Sequence, residues 1–185
     1  MGQSAGKIYL LPVGDPDTAV VESLPASLEK AFGFPCALAH PLQDIEFAYD
    51  PCRNQYFCTA LLSKIGERIP VDALRMLGIA GVDLFVPRLN FVFGEAIMNG
   101  KVAVISLYRL DPRHYGDQGN TARYLERTLK EAVHELGHTF GLKHCGDSRC
   151  VMFFSNSLLD TDRKGSEFCP ACSSVIRRGR PPLQC

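Results

Sequence analysis

The stretch Glu131 to Cys150 reads Glu-Ala-Val-His-Glu-Leu-Gly-His-Thr-Phe-Gly-Leu-Lys-His-Cys-Gly-Asp-Ser-Arg-Cys, and three of the chain's five histidines fall within eleven of its residues. On a helix, residues four apart share a face one turn from each other, so His134 and His138 can bind a single ion through their imidazoles. Glu135 is rotated about 100° from His134 and reaches beside such an ion without entering its ligand set, which is where a general base must stand. Gly141 is the expected helix end, because glycine accepts the left-handed conformation that closes a helix. The chain can then turn back and bring His144 to the same ion. Three protein ligands with one open position define a catalytic zinc site. His-Glu-x-x-His alone arises by chance in many helices; its extension to Gly141 and His144 is far more specific.

Four cysteines follow as Cys145-x4-Cys150, eighteen residues, then Cys169-x2-Cys172. Two close pairs separated by a loop are the sequence form of a structural zinc site. Four thiolates also suit an iron–sulfur cluster. Because His144 and Cys145 are adjacent, an extended backbone sends their side chains to opposite sides, one toward each metal. The rival assignment puts His144 with three cysteines and leaves the first ion a weak site with two protein ligands. Cys36, Cys52, Cys58 and Cys185 show no partner pattern and read as small buried or incidental thiols.

These residues need elements to hold them. Apolar positions Tyr124, Leu125, Leu129, Val133, Leu136 and Phe140 predict a long helix capped by Asn120 or Thr121, with the two histidines near its end. A polar loop, 111–120, precedes it. Upstream, strands are predicted over 7–13, 35–42, 82–86, 90–97 and 102–108, and helices over 17–32, 56–69 and 71–77. Pro25 is expected to kink or split the first helix. Strands alternating with helices indicate a mostly parallel sheet. Asn99-Gly100 marks a hairpin, which adds one antiparallel edge strand. Gly94 within that strand marks either a bulge or a close approach to substrate.

With 185 residues, 46% of them hydrophobic and 22% charged, the chain fits one soluble globular domain. Twenty basic residues balance twenty acidic ones, so no overall field draws it to nucleic acid or to an anionic membrane. No apolar run approaches the ~20 residues that span a bilayer. The N-terminal residues lack the pattern of a secretion signal, and a cytoplasmic location is expected. In such a reducing compartment, clustered cysteines are metal ligands rather than disulfides. The basic run at Arg177, Arg178 and Arg180 reads as a solvated tail.

His134 through His144 resembles the zinc-binding signature of the metzincins, and Met152 is similar to their Met-turn methionine. Cys145, Cys150, Cys169 and Cys172 resemble the mark of the archaemetzincins. Residues 89–96 (Leu-Asn-Phe-Val-Phe-Gly-Glu-Ala) are similar to the family's edge strand. The resemblance implies an α/β (α+β) fold, with a twisted, mostly parallel sheet and helices above a horizontal cleft and the active-site helix below it. It divides the chain into 1–141, with sheet and active-site helix, and a zinc-stapled 142–185. It implies a peptidase that acts on a peptide or protein as a monomer, with two zinc ions, one catalytic and one structural. Glu135 is the implied general base for a zinc-activated water, possible substrate contacts fall at Phe93 and Gly94, and Met152 packs beneath the histidines. Two features stay open. Phe153 and Phe154 stand where some metzincins carry an oxyanion-binding tyrosine, so that role passes to Tyr108 or Tyr115. Aminopeptidase-like action needs an acidic anchor, for which Glu95 and Asp117 are the candidates. The alternative function is a metzincin-fold module that binds a peptide or protein without cleaving it.

Overall fold

The computed structural model describes residues 6–117 and 120–178; Arg180 and Cys185 lie outside the described residues. In chain order the elements are β1 (Lys7–Val13), α1 (Thr18–Phe32), β2 (Cys36–Leu38), β3 (Tyr49–Asp50), β4 (Gln55–Phe57), α2 (Cys58–Gly66), β5 (Ala73–Ala80), β6 (Leu84–Phe85), β7 (Gly94–Ala96), β8 (Val102–Ser106), α3 (Thr121–Thr139), α4 (Leu158–Arg163) and α5 (Pro170–Arg178). The main sheet has the order β2-β1-β5-β8-β7. Its first four strands are parallel, and β7 runs antiparallel to β8 in the register Gly94↔Ile105. A smaller sheet, β3-β4-β6, lies beside it.

Alternation along the strands builds two cores. Ile8, Leu10, Leu77, Ile79, Ala103 and Ile105 face α1 and α3. Leu11, Val13, Met76, Ala80, Val102 and Val104 face Leu61, Leu62 and Ile65 of α2. The sheet is therefore covered on both sides, as parallel sheets require. The first core continues into Leu142, Cys150, Val151, Met152, Cys172 and Ile176, so the cysteine-rich end packs into the same apolar interior as α3.

Several expected elements change. Of residues 71–77, expected to be helical, 73–77 instead form the first part of β5, which lies between β1 and β8. A strand buried on both faces loses its two-residue alternation, so the run from Ala73 resembles a short helix in pattern. The strand expected over 90–97 is regular only at β7, and β6 is the two-residue remnant of 82–86. α1 runs unbroken through Pro25, with Val20, Val21, Leu24, Leu28 and Phe32 buried; that burial offsets the ~3 kcal/mol a mid-helix proline costs. The Asn99-Gly100 hairpin forms as expected, with Asn99 left-handed at φ 55°.

Candidate active site

Asn120 caps α3 by accepting from the Arg123 N–H, and Ala132, Val133 and Leu136 bury its apolar stripe. His134 and His138 emerge one turn apart near its end. His134 Nδ1 lies 2.9 Å from Val151 O, and His138 Nδ1 lies 2.7 Å from Leu142 O. A carbonyl oxygen only accepts, so each Nδ1 carries the proton and each Nε2 presents a lone pair. The two Nε2 atoms stand 3.1 Å apart. Nitrogens bound at ~2.05 Å to a tetrahedral zinc ion sit about 3.3 Å apart. Facing lone pairs at this separation repel, and a cation between them would relieve that repulsion.

Gly141 ends the helix at φ 89°, a conformation glycine adopts without steric cost. A Cβ there would strike Asn99 Oδ1, and the Asn99 N–H donates to His138 O at 3.2 Å, so the hairpin tip is docked on the helix end. Beyond this turn the His144 ring lies 5.3 Å from that of His134 and 4.9 Å from that of His138. One ligand atom from each of the three histidines falls within 4.8 Å of the others. Burial is the leading cause that lowers all three imidazole pKa values, His134 to about 2. Neutral imidazoles are the form a metal ion needs.

Glu135 is buried beside them. Burial, then Glu131, push its carboxyl up to about 8, Lys164 opposes this, and Glu95 adds to it. A divalent cation at the histidines favours the carboxylate form. Gly94 has a physical reason to be glycine: a Cβ there would lie 2.6 Å from Val104 O and 2.7 Å from Glu135 Cγ. The edge strand and the carboxylate thus touch. Phe93 and Gly94 both line the cleft, whose volume is about 520 Å³. Its walls are mostly apolar, with Leu89, Phe91, Met98 and Phe154 beside the three histidines, Glu131 and Glu135.

The four cysteine sulfurs also converge, each within 4.8 Å of the others, with Cys145 Sγ and Cys169 Sγ 3.8 Å apart. Sulfurs bound at ~2.3 Å to tetrahedral zinc sit about 3.8 Å apart. All four are free thiols. Backbone N–H donation at Cys172 is the main cause that lowers the Cys169 pKa, whereas burial raises those of Cys150 and Cys172; a bound cation would favour all four thiolates. The geometry puts His144 with the histidines and Cys145 with the cysteines.

The two clusters are joined through main chain. Val151 follows Cys150, donates to Glu167 O at 2.9 Å, and its own carbonyl orients His134. The Cys145 N–H donates to Met152 O at 2.9 Å. Met152 is fully buried, and a Cβ on Gly137 would meet its sulfur at 2.5 Å, so the methionine packs against the helix between the two histidines.

Other expected residues lie elsewhere. Tyr108 packs on His114, and Tyr115 donates to Arg109 O; neither lines the cleft. Glu95 accepts from Thr59 Oγ1, Asp117 pairs with Arg123, and neither lines the cleft. What residue patterns missed is Glu131 with Lys164. The Lys164 ammonium is wholly buried 2.9 Å from Glu131 Oε1, which also accepts from Thr161 at 3.1 Å. Glu131 could be suspected from its place one turn before Glu135, but nothing marks a lysine for burial.

Peptidase family M54 matches residues 32–178 of the chain. An archaemetzincin from Pyrococcus furiosus is 40% identical over 171 residues, covering 89% of either chain. One from Methanopyrus kandleri is 48% identical over 135 residues, 72% of either chain. The crystal structure of the M. kandleri archaemetzincin superposes with a TM-score of 0.82 at 36% identity, covering 96% of this chain and 97% of that one. A zinc-dependent peptidase from Methanocorpusculum labreanum gives 0.83 at 27% identity, covering 91% and 99%. The chain belongs to peptidase family M54, the archaemetzincins, and is a zinc metallopeptidase.

Proposed function

We propose that the chain hydrolyses peptide bonds with Glu135 as general base, His134, His138 and His144 holding the catalytic zinc, and Cys145, Cys150, Cys169 and Cys172 holding a structural zinc. The observation that carries this reading is the pair of bare imidazole nitrogens 3.1 Å apart, with a buried carboxylate on the next residue. Zinc at the histidines supplies Lewis acidity to the scissile carbonyl and lowers the pKa of the attacking water. Glu135 takes the proton of that water, and in its protonated form delivers it to the leaving amine. The edge strand at Phe93 and Gly94 lies against Glu135 and borders the cleft on the substrate's side. Met152 packs under the histidines and fixes their height.

The apolar walls favour substrates with apolar side chains around the scissile bond, since each buried side chain contributes about 1.5–3 kcal/mol. Amino-terminal selectivity needs an unbalanced acidic anchor. Glu131 is the acidic residue placed for it, but Lys164 already balances its charge, so cleavage within a chain is the first reading and aminopeptidase-like action the second. The protein works as one catalytic domain, residues 1–141 with a zinc-stapled 142–185, as a monomer in the cytoplasm. No helix among the described residues is long and apolar enough to cross a membrane, and the four clustered thiols are unpaired.

Glu135→Ala tests the mechanism. Assayed on paired free and N-blocked peptides, it is expected to keep its zinc content while turnover falls by at least about 100-fold, the lower end for losing a general base. Unchanged turnover would remove Glu135 from the mechanism. A wild type that binds peptides but cleaves none would favour a binding module.

A further inference from the structure

The outer wall of the cleft, residues 89–93, is not part of the main sheet. β7 begins only at Gly94, and the wall's ladder-type ties among the described residues are the bridge Leu84↔Val92 and, at its inner end, the bond from the Ser106 N–H to Phe93 O at 2.8 Å. A backbone with so few ladder bonds needs other partners for its carbonyls. Two side chains supply them. Arg53 Nη2 donates to Leu89 O at 2.9 Å and to Asn90 O at 3.0 Å. Gln55 Nε2 donates to Asn90 O at 2.9 Å and also to Asp83 Oδ2 at 2.9 Å. Arg53 Nε in turn donates to Gln55 Oε1 at 3.0 Å.

The anchor of this network is Asp83, buried just before β6. Arg109 grips it with two parallel bonds, Nε to Oδ1 and Nη2 to Oδ2, each 2.7 Å. Paired charge-assisted bonds of this kind fix orientation as well as distance. Both guanidinium groups also cover aromatic faces, Arg53 over Phe85 at 4.4 Å and Arg109 over Phe91 at 4.3 Å. Phe91 stacks edge-on against Phe93 at 5.2 Å, so the contact runs to the residue beside Gly94.

Backbone strain points to the same place. Arg88, just before the wall, is held left-handed at φ 73°, a conformation uncommon for a residue other than glycine, asparagine or aspartate. Such a conformation persists only where its surroundings over-determine it. The next two carbonyls are those held by Arg53 and Gln55.

We infer that Arg53, Gln55, Asp83 and Arg109 form a clamp that positions the outer wall of the cleft, residues 89–93, for substrate. This rests on the peptidase reading above. The four are positioning residues: none of them lines the cleft, and they act through the main chain of Leu89 and Asn90 and the ring of Phe91. Releasing the clamp leaves the histidines, Glu135 and the cysteine site in place and loosens one side of the substrate channel. The loss therefore falls on substrate binding, which raises KM more than it lowers kcat.

The test pairs Arg53→Ala, on the surface, with Gln55→Ala, in two readouts on the zinc-loaded protein. Amide hydrogen exchange across 88–93 is expected to speed up at least tenfold in both variants, with α3 exchanging as in the wild type. On an N-blocked peptide with leucine and phenylalanine around the scissile bond, KM is expected to rise about 5- to 10-fold, with kcat within twofold and zinc content unchanged. Arg53→Lys, which keeps a donor for the two carbonyls, is expected to restore most of the protection. Wild-type exchange and KM in both alanine variants would overturn the clamp, and so would faster exchange throughout α3 with loss of zinc. If the wild type cleaves no peptide, the peptidase reading fails separately, and the exchange result alone decides whether the clamp holds the wall.

Discussion

Val151 O and Leu142 O fix the protons of His134 and His138 on their Nδ1 atoms, and so turn the Nε2 lone pairs toward one another. No imidazolium is needed to hold the pair, since burial already keeps the rings neutral. The same dryness that favours them as ligands raises Glu135, so the rings are in ligand form without an ion, while the carboxylate form of Glu135 gains from a cation's charge. Glu135 is placed by the absence of a side chain opposite it. Gly94→Ala is expected to push the carboxylate aside, because the new methyl would stand 2.7 Å from Glu135 Cγ with Val104 O at 2.6 Å behind it. A displacement near 1 Å costs about 100-fold in rate. Peptide kinetics together with zinc analysis check this: the metal stays and turnover falls. Wild-type turnover in this variant would show that the contact does not place the base.

At the scale of elements, α3 carries the histidines, but the segment after it aims them. The strand-like contacts of 149–151 with 165–167 hold Val151 O under His134, with Cys150 inside the first segment and Cys169 two residues past the second. A second tie runs from α3 to α4. Arg127 Nε and Nη2 donate to the two oxygens of Asp162 at 2.6 and 2.7 Å, and this bond is the main cause that depresses the Asp162 pKa. Because the folded value lies below the unfolded one of about 3.9, the pair's stabilisation is present above that pH and is lost as pH falls through the depressed value. Asp162→Asn is expected to cost about 2 kcal/mol at pH 7 in urea unfolding, with the difference from wild type shrinking as pH falls below the ordinary carboxylate range. An equal cost at pH 7 and below that range would assign the effect to packing rather than charge.

α3 was legible because its signals are local: a cap, a 3.6-residue stripe and histidines four apart. Gly141 was legible for the same reason. The span 71–77 reads as a helix because β5 is covered on both faces, and that coverage comes from α1 and α3 on one side and α2 on the other rather than from the segment itself. Gly94 could be flagged in the sequence, but only its distance to Glu135 distinguishes a close approach from a bulge. Lys164 and the Arg53–Asp83 network could not be read at all. Their partners lie 33 to 37 positions away for Glu131 and Asn90, and a surface lysine or arginine looks the same in sequence as one that closes a network.

For the molecule as a whole, the covered sheet is the rigid part. It sets β7 beside α3, and the continuous apolar interior joins α3 to the cysteine-rich end. The histidine and cysteine clusters then meet at the His144–Cys145 peptide bond, with Val151 and Met152 passing between them. The cysteine cluster adjoins the histidines through main chain: Val151, next to Cys150, carries the carbonyl that orients His134, and Cys145 follows His144.

The most direct test of the account is the zinc content per chain, measured on the wild type, His144→Ala and Cys150→Ser, with cobalt-substituted samples to report thiolate ligation by charge-transfer absorption. Two zinc ions are expected in the wild type. His144→Ala should keep one, with the thiolate absorption intact, and Cys150→Ser should lose that absorption. A single ion in the wild type, or loss of the thiolate-bound ion in His144→Ala, would contradict the assignment of His144 to the catalytic site.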